Sequence, residues 1–231
     1  MKISVIVPAF NEEKLLGATL ECIRAATTGL DPELIVCDNN STDRTAEIAR
    51  AAGATVVFEP LNQISRARNA GAAAASGDWL VFVDADSMPS RELFAELAGA
   101  IAAGRCIGGG ATVRFDDADR SARAAVGVWN AISRTMRWAA GSFVFCQAAA
   151  FRKIGGFSTE LYASEEIDFS RRLKRLGPLT ILHRHPLRTS GRKVRLYTKT
   201  EWLKLLAKVA LSGGRALRNR DECFAWYDGR R

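Results

Sequence analysis

The first half of the chain alternates short apolar runs rich in β-branched residues with Ala-rich stretches of helical spacing, the pattern of βαβ units around a mostly parallel sheet. Ile3 to Pro8 predicts a first strand, and Glu12 to Ala26 a helix with Leu15, Leu16, Leu20 and Ile23 on one face. Leu34 to Asp38 reads as a strand after the Asp31-Pro32 break. Ser41 to Ala52 opens with capping residues and ends at Gly53, as a helix does. A strand at Thr55 to Glu59 and a helix at Ile64 to Ala75 follow. Trp79-Leu80-Val81-Phe82-Val83 is apolar throughout, as expected of a central strand buried on both faces, and it stops at Asp84-Ala85-Asp86.

The second half is less regular. The helix Glu92 to Ala103 leads through Gly108-Gly109-Gly110 to a strand at Ala111 to Phe115 and an Asp-rich turn. Ala118 to Ala140 has helical composition, and Ser142 to Ala150 has β character. Glu165 to Leu176 predicts a helix closed by Gly177-Pro178, Leu179 to Leu182 a short strand, and Glu201 to Leu211 a basic amphipathic helix. No repeat or low-complexity linker divides the chain, so a single α/β domain is expected.

Composition adds class and compartment. A chain of 231 residues, 48% hydrophobic and 25% charged, fills one globular core. Five cysteines without CxxC pairing fit a reducing compartment. The apolar start stops at Pro8, too short for a signal-peptide core, and no apolar run reaches the roughly 18 residues of a membrane span. The expected location is cytoplasmic, with peripheral attachment to the inner face of a membrane left open. Residues 1 to 150 carry 14 Lys/Arg against 17 Asp/Glu, and residues 151 to 231 carry 19 against 8, so all of the +8 excess lies in the last third. Such a region meets anionic lipid, phosphorylated substrates or nucleic acid, and charge alone does not choose.

In open α/β sheets, ligands gather at the carboxyl ends of the strands. Three such ends are polar here: Pro8-Ala9-Phe10-Asn11-Glu12, Asp38-Asn39-Asn40-Ser41-Thr42-Asp43 and Asp84-Ala85-Asp86. No GxGxxG follows the first strand and no GxxxxGK[ST] occurs, which counts against dehydrogenase and P-loop chemistry. Two carboxylates one residue apart at the end of a buried strand repel unless a cation lies near them. Mg²⁺ or Mn²⁺ held together with diphosphate oxygens is the natural partner. Taken alone, the triplet is equally well a polar strand-to-loop turn.

Read together, these segments, with Ala67-Arg68-Asn69-Ala70-Gly71 running into Gly77-Asp78 and Phe82-Val83-Asp84-Ala85-Asp86, resemble the family 2 glycosyltransferases. Gly155-Gly156-Phe157 and Glu165-Glu166-Ile167-Asp168-Phe169 resemble that family's acceptor-side motif. The resemblance covers residues 1 to 195 and implies a GT-A, Rossmann-like domain, with a donor half at 1 to 115, an acceptor half at 116 to 195, and a basic helical extension at 196 to 231. It implies an inverting enzyme that takes a nucleoside-diphosphate sugar. Pro8, Asn11, Glu12, Asp38, Arg68 and Asp84 would line the donor site, and Asp86 with Asp84 would hold the metal. The family's base is usually the aspartate of a Glu-Asp pair. Here that position is Glu166, with Glu165 and Asp168 as substitutes.

The resemblance also implies a metal- or diphosphate-binding histidine near the strand after this helix, where His183 and His185 flank Arg184. A basic segment, Thr189-Ser190-Gly191-Arg192-Lys193, would close over the donor phosphates through Arg192. The acceptor expected is a glycan or lipid-linked hydroxyl. The helix bearing Trp202, Leu203, Leu205, Leu206 and Val209 against Lys199, Lys204 and Lys208 either packs on the core or lies on an anionic membrane. No nucleic-acid partner is expected. The alternatives are a sugar-phosphate nucleotidyltransferase, which usually needs a Gly-rich loop absent here, and a catalytically degenerate nucleotide-sugar-binding protein.

Overall fold

A computed structural model describes residues 2–116, 120–192 and 196–227. The strands are β1 (Ile3–Ala9), β2 (Glu33–Asp38), β3 (Thr55–Phe58), β4 (Trp79–Val83), β5 (Ser87–Met88), β6 (Gly108–Phe115), β7 (Phe143–Gln147) and β8 (Leu179–Thr189). The helices are α1 (Leu16–Ala26), α2 (Thr45–Ala51), α3 (Ile64–Ala74), α4 (Arg91–Ala102), α5 (Arg120–Met136), α6 (Ala148–Lys153), α7 (Glu165–Lys174), α8 (Lys199–Leu211) and the short α9 (Phe224–Tyr227).

The strands form a sheet in the order β3-β2-β1-β4-β7-β6-β8-β5. The first four are mutually parallel, as the βαβ pattern predicts. β4 is buried at every position, and its two faces enter two apolar clusters. Val81 and Val83 join α1 and α4, while Leu80 and Phe82 meet the aromatic set Phe151, Phe157 and Phe169. Helix α3 lies so close to β1 that a Cβ on Gly71 would stand 2.5 Å from the Ile6 side chain. This close fit fixes where Arg68, on the same helix, enters the sheet.

The second half departs from the sequence reading in three places. The glycines 108 to 110 belong to β6 rather than to a loop, because β6 is squeezed between neighbours: a Cβ on Gly109 would fall 1.7 Å from the Thr180 carbonyl oxygen. β7 runs antiparallel between β4 and β6, and the segment after it turns into α6 instead of continuing as strand. β8 extends to Thr189 through Arg184 and Pro186, held by β6 on one side and finally by β5. Ser87 Oγ donates to Thr189 Oγ1 at 3.0 Å, so the turn after Asp86 is zipped to the end of β8.

Gly109→Ala is expected to lower the unfolding free energy by at least ~2 kcal/mol, because the clash is with backbone and not with a movable side chain. Urea denaturation checks this; a variant as stable as the parent would show that β6 and β8 are not in this register.

Candidate active site

A cleft opens at the carboxyl ends of β1, β2 and β4. Its lining includes Pro8, Phe10, Glu12, Asn39, Asp84 and Asp86, so the polar strand ends converge there. The loops between them are tied to one another. The Asn11 N–H donates to Ser41 Oγ at 2.9 Å, Asn11 Oδ1 accepts from the Thr42 N–H at 2.8 Å, and the Glu12 N–H donates to Thr45 Oγ1 at 2.8 Å. Asn11 holds φ at 51°, a left-handed conformation that asparagine tolerates better than most residues. Its side chain thus ties the loop after β1 to the loop after β2, behind the cleft lining. Ser41 serves this stitching, and Asp43 Oδ1 accepts the Thr45 N–H at the start of α2.

Asp38 is buried, and its Oδ1 accepts the Ser41 N–H at 3.0 Å. Asn39 bonds at both ends of its amide: Nδ2 donates to the Glu59 and Leu61 carbonyls, and Oδ1 accepts from the Gln63 N–H. It fixes the loop that delivers α3.

Arg68 is the centre of the site. It is 1% exposed, Nη1 meets Glu165 Oε1 at 2.6 Å, and Nη2 meets Asp84 Oδ1 at 3.1 Å and the Gly141 carbonyl at 2.8 Å. The guanidinium also lies over the Phe157 ring at 5.1 Å. Burial opposes its charge, but Asp84, Glu165 and Glu166 more than offset that, and its pKa is raised. Arginine suits the position, since its planar fork reaches several acceptors at once and does not lose its proton.

Glu166 follows Glu165 at the start of α7, preceded by Ser164 in a left-handed conformation at φ 60°. Burial, then the neighbouring Glu165, push the Glu166 carboxyl up to about 8, with Arg68 pulling the other way. On the opposite side, Arg192 Nη2 meets Glu12 Oε1 at 2.8 Å and lies 3.9 Å from Asp86 Oδ2. The Ser190 N–H donates to the Asp86 carbonyl at 3.2 Å. The end of β8 therefore brings a cation to the acidic turn; Lys193 lies outside the described residues.

Asn11 and Asp38 adjoin the cleft lining without being part of it, and Asp168 and His183 stand away from both the lining and the Arg68 cluster. Asp168 is turned to the outer face of α7, where Arg172 pairs with it at 2.7 Å. His183 is exposed in mid-strand; its N–H donates to Glu96 on α4 and its Nδ1 faces the Ile181 carbonyl. The strand has 11 residues where four were expected, and it takes both histidines into itself instead of leaving them in the loop after it. Among the described residues no group of three or more His, Cys, Asp or Glu forms a metal cage, so Asp84 and Asp86 are the carboxylates at hand, with ligand oxygens needed to complete a shell. Sequence reasoning missed Tyr227, which lines the cleft from beyond the segment where the motifs lie.

The family model described as Glycosyl transferase family 2 matches residues 4–157. The chain belongs to glycosyltransferase family 2. Among curated relatives, the glucosyl-3-phosphoglycerate synthase of Mycolicibacterium smegmatis is 39% identical over 100 residues, 40% of this chain and 33% of that protein. An uncharacterized glycosyltransferase of Mycobacterium tuberculosis is 41% identical over 92 residues, 39% of this chain and 40% of that one. The chain thus spans between a third and two fifths of these relatives.

Solved structures share the GT-A fold. A mannosyltransferase from Pyrobaculum calidifontis, in complex with GDP-Man and Mn²⁺, has a TM-score of 0.70 at 19% identity, covering 91% of this chain and 61% of that one. Glucosyl-3-phosphoglycerate synthase from Mycobacterium tuberculosis, in complex with Mn²⁺, UDP and glucosyl-3-phosphoglycerate, has 0.64 at 22%, covering 91% and 77%. The expected single mostly parallel α/β domain of GT-A type is the fold observed.

Because the folded chain holds the Glu166 proton more tightly than the unfolded one does, the stability tied to it is fully present below pH 4.5 and lost as pH rises through about 8. Glu166→Gln removes that dependence. In EDTA, the melting temperature of the variant relative to the parent should therefore climb across this window; a constant difference would show that the carboxyl is not perturbed.

Proposed function

We propose that the protein transfers a sugar from a nucleoside-diphosphate sugar to an acceptor hydroxyl with inversion. The observation that carries this reading is the joining of the acidic turn and a buried carboxylate through one guanidinium: Arg68 touches both Asp84 and Glu165, and Glu166 stands beside them. Pro8, Phe10 and Glu12 line the nucleotide end of the cleft, with Asp38 at the neighbouring strand end. Asp86 and Asp84 present hard oxygen ligands suited to Mg²⁺ or Mn²⁺, which would neutralise diphosphate charge. Arg192, already next to Asp86, adds a cation for the leaving group.

Glu166 takes the acceptor proton. A carboxylate with a pKa of about 8 is a stronger base than an ordinary one. The acceptor oxygen bonds to the sugar C1 from the face opposite the leaving group, and the C1–O bond breaks with its electron pair staying on the nucleoside diphosphate. Glu165, committed to Arg68 at 2.6 Å, holds the site's geometry instead. A nucleotidyltransferase reading finds no Gly-rich loop after β1. Asp86→Ala should abolish metal-dependent thermal stabilisation by UDP or GDP, whereas Glu166→Gln should keep it and lower turnover by about a thousandfold or more. Turnover retained in Glu166→Gln would remove this residue as the base.

For the acceptor we favour a glycan precursor or lipid-linked hydroxyl of cell-envelope synthesis, worked on at an anionic membrane surface. No helix among the described residues is long and apolar enough to cross a membrane. The face proposed for contact is on α5. Asn130 pins this helix to β6 by accepting from the Val113 N–H and donating to its carbonyl, and Trp129 packs on the core. Val128, Ile132 and Met136 stay 61%, 40% and 42% exposed, in one stripe at intervals of four. Arg120, Arg123, Arg134 and Arg137 flank it, and the helix has no acidic residue.

That combination suits anionic headgroups over an apolar layer. Packing of two copies of α5 about a two-fold axis would set arginine against arginine. The apolar side chains of α8 at 202, 203, 205 and 206, for which the sequence left packing on the core or contact with a membrane open, lie outside the described residues. The parent should sediment with vesicles of phosphatidylcholine plus phosphatidylglycerol and not with phosphatidylcholine alone. Replacing Val128, Ile132 and Met136 with Ser should reduce binding about tenfold or more; undiminished binding would rule out this face.

A further inference from the structure

The C-terminal segment folds back onto the donor cleft. After α8 the chain turns at Gly213 and Gly214, both with positive φ, into a 3-10 turn at Arg215–Arg218. The Leu217 carbonyl there accepts the Tyr162 N–H at 2.8 Å. Lys208 pairs with Glu222 at 2.9 Å, Cys223 is fully buried, and the Tyr197 ring packs on Phe224 with centroids 5.4 Å apart. So anchored, α9 places Tyr227 in the lining of the same cleft as Ile64, Ala67 and Asp84, with its hydroxyl toward Ile64. The ring meets Tyr162 edge-on at 5.5 Å and lies under the Arg220 guanidinium at 5.4 Å.

Its hydroxyl carries the argument. The phenol oxygen is buried, faces the Ile64 N–H without adequate hydrogen-bond geometry, and has no other hydrogen-bond partner. Burial, reinforced by the charge of Glu165, raises the phenol pKa well above 10, so the oxygen keeps its proton and is a hydrogen-bond donor. A buried donor without an acceptor is costly and rare in folded proteins. It is also the polarity that an anionic, oxygen-rich ligand satisfies.

We infer that Tyr227 is a donor-binding residue, its hydroxyl donating to an oxygen of the nucleoside diphosphate and its ring walling that ligand in. The C-terminal segment thereby completes the donor site. This rests on the donor-cleft reading above, and the test separates the two. UDP and GDP, each with Mn²⁺, are titrated calorimetrically into the full chain, into Tyr227→Phe and into Tyr227→Ala, with melting curves of each protein without nucleotide.

The expected result is binding by the parent and affinity about tenfold or more weaker in Tyr227→Phe, the effect of losing a hydrogen bond to a charged group, at an unchanged melting temperature. Tyr227→Ala, if folded, should lose more. Equal affinity in parent and Tyr227→Phe overturns the role of Tyr227 and leaves the donor cleft standing. Tighter binding by Tyr227→Ala overturns it too, since the ring would then be a plug. No binding of either nucleotide by the parent overturns the donor cleft itself.

Discussion

A single buried guanidinium holds the two halves of this molecule in register. Arg68 enters from α3, in the first half, and closes on Asp84 from β4, Glu165 from α7 and the Gly141 carbonyl before β7. Removing one partner of such a cluster strands buried charge, typically at 3–5 kcal/mol, so each element is placed partly by the others. The excess of carboxylate over guanidinium is carried by Glu166, the group whose proton is held longest. Structure and reactivity share their causes there: burial first, and then acids crowded around one guanidinium, leave Glu166 a strong base.

The donor side of this arrangement was readable from residues alone because its rules are local. A parallel strand buried on both faces is apolar throughout, and the chain must leave it at a polar turn, so β4 and the acidic pair were located together. Arg68 lies against that pair, and Glu12 and Arg192 meet beside it. What failed was set by long-range packing. Three glycines look like a loop until Thr180 and Phe145 are known to press on them. The polar stretch Arg184 to Pro186 looks like the end of a strand until β6 is seen to pair again beyond it at Leu187, with Glu96 accepting the N–H groups of His183, Arg184 and His185 in between. Asp168 and His183 were misplaced for the same reason, the first by its turn onto the outer face of α7 and the second by the length of β8.

Charge distribution follows a similar division. The surplus of Lys and Arg in the last third looked like a property of the terminal helix, yet Arg192 is spent at the cleft and Arg220 stacks on Tyr227. The uncommitted basic, apolar surface is instead on α5, whose composition of alanine, arginine and scattered large residues hid its amphipathic character in the chain reading. The boundary drawn at residue 195 likewise separates what the fold joins, since the 3-10 turn and α9 pack on the 159–163 loop and reach the cleft.

The zipping of Ser87 and Met88 to Arg188 and Thr189 bears on how the molecule is made. Those partners are about a hundred residues apart, so closing that loop gives up chain entropy that nearby contacts do not repay. The parallel βαβ portion can assemble from near neighbours, but the turn bearing Asp86 is fastened only when the far end of β8 arrives. A nascent chain emerging from the ribosome would therefore own a folded nucleotide scaffold before it owned a finished acidic turn, and acquisition of ligand affinity would trail acquisition of secondary structure.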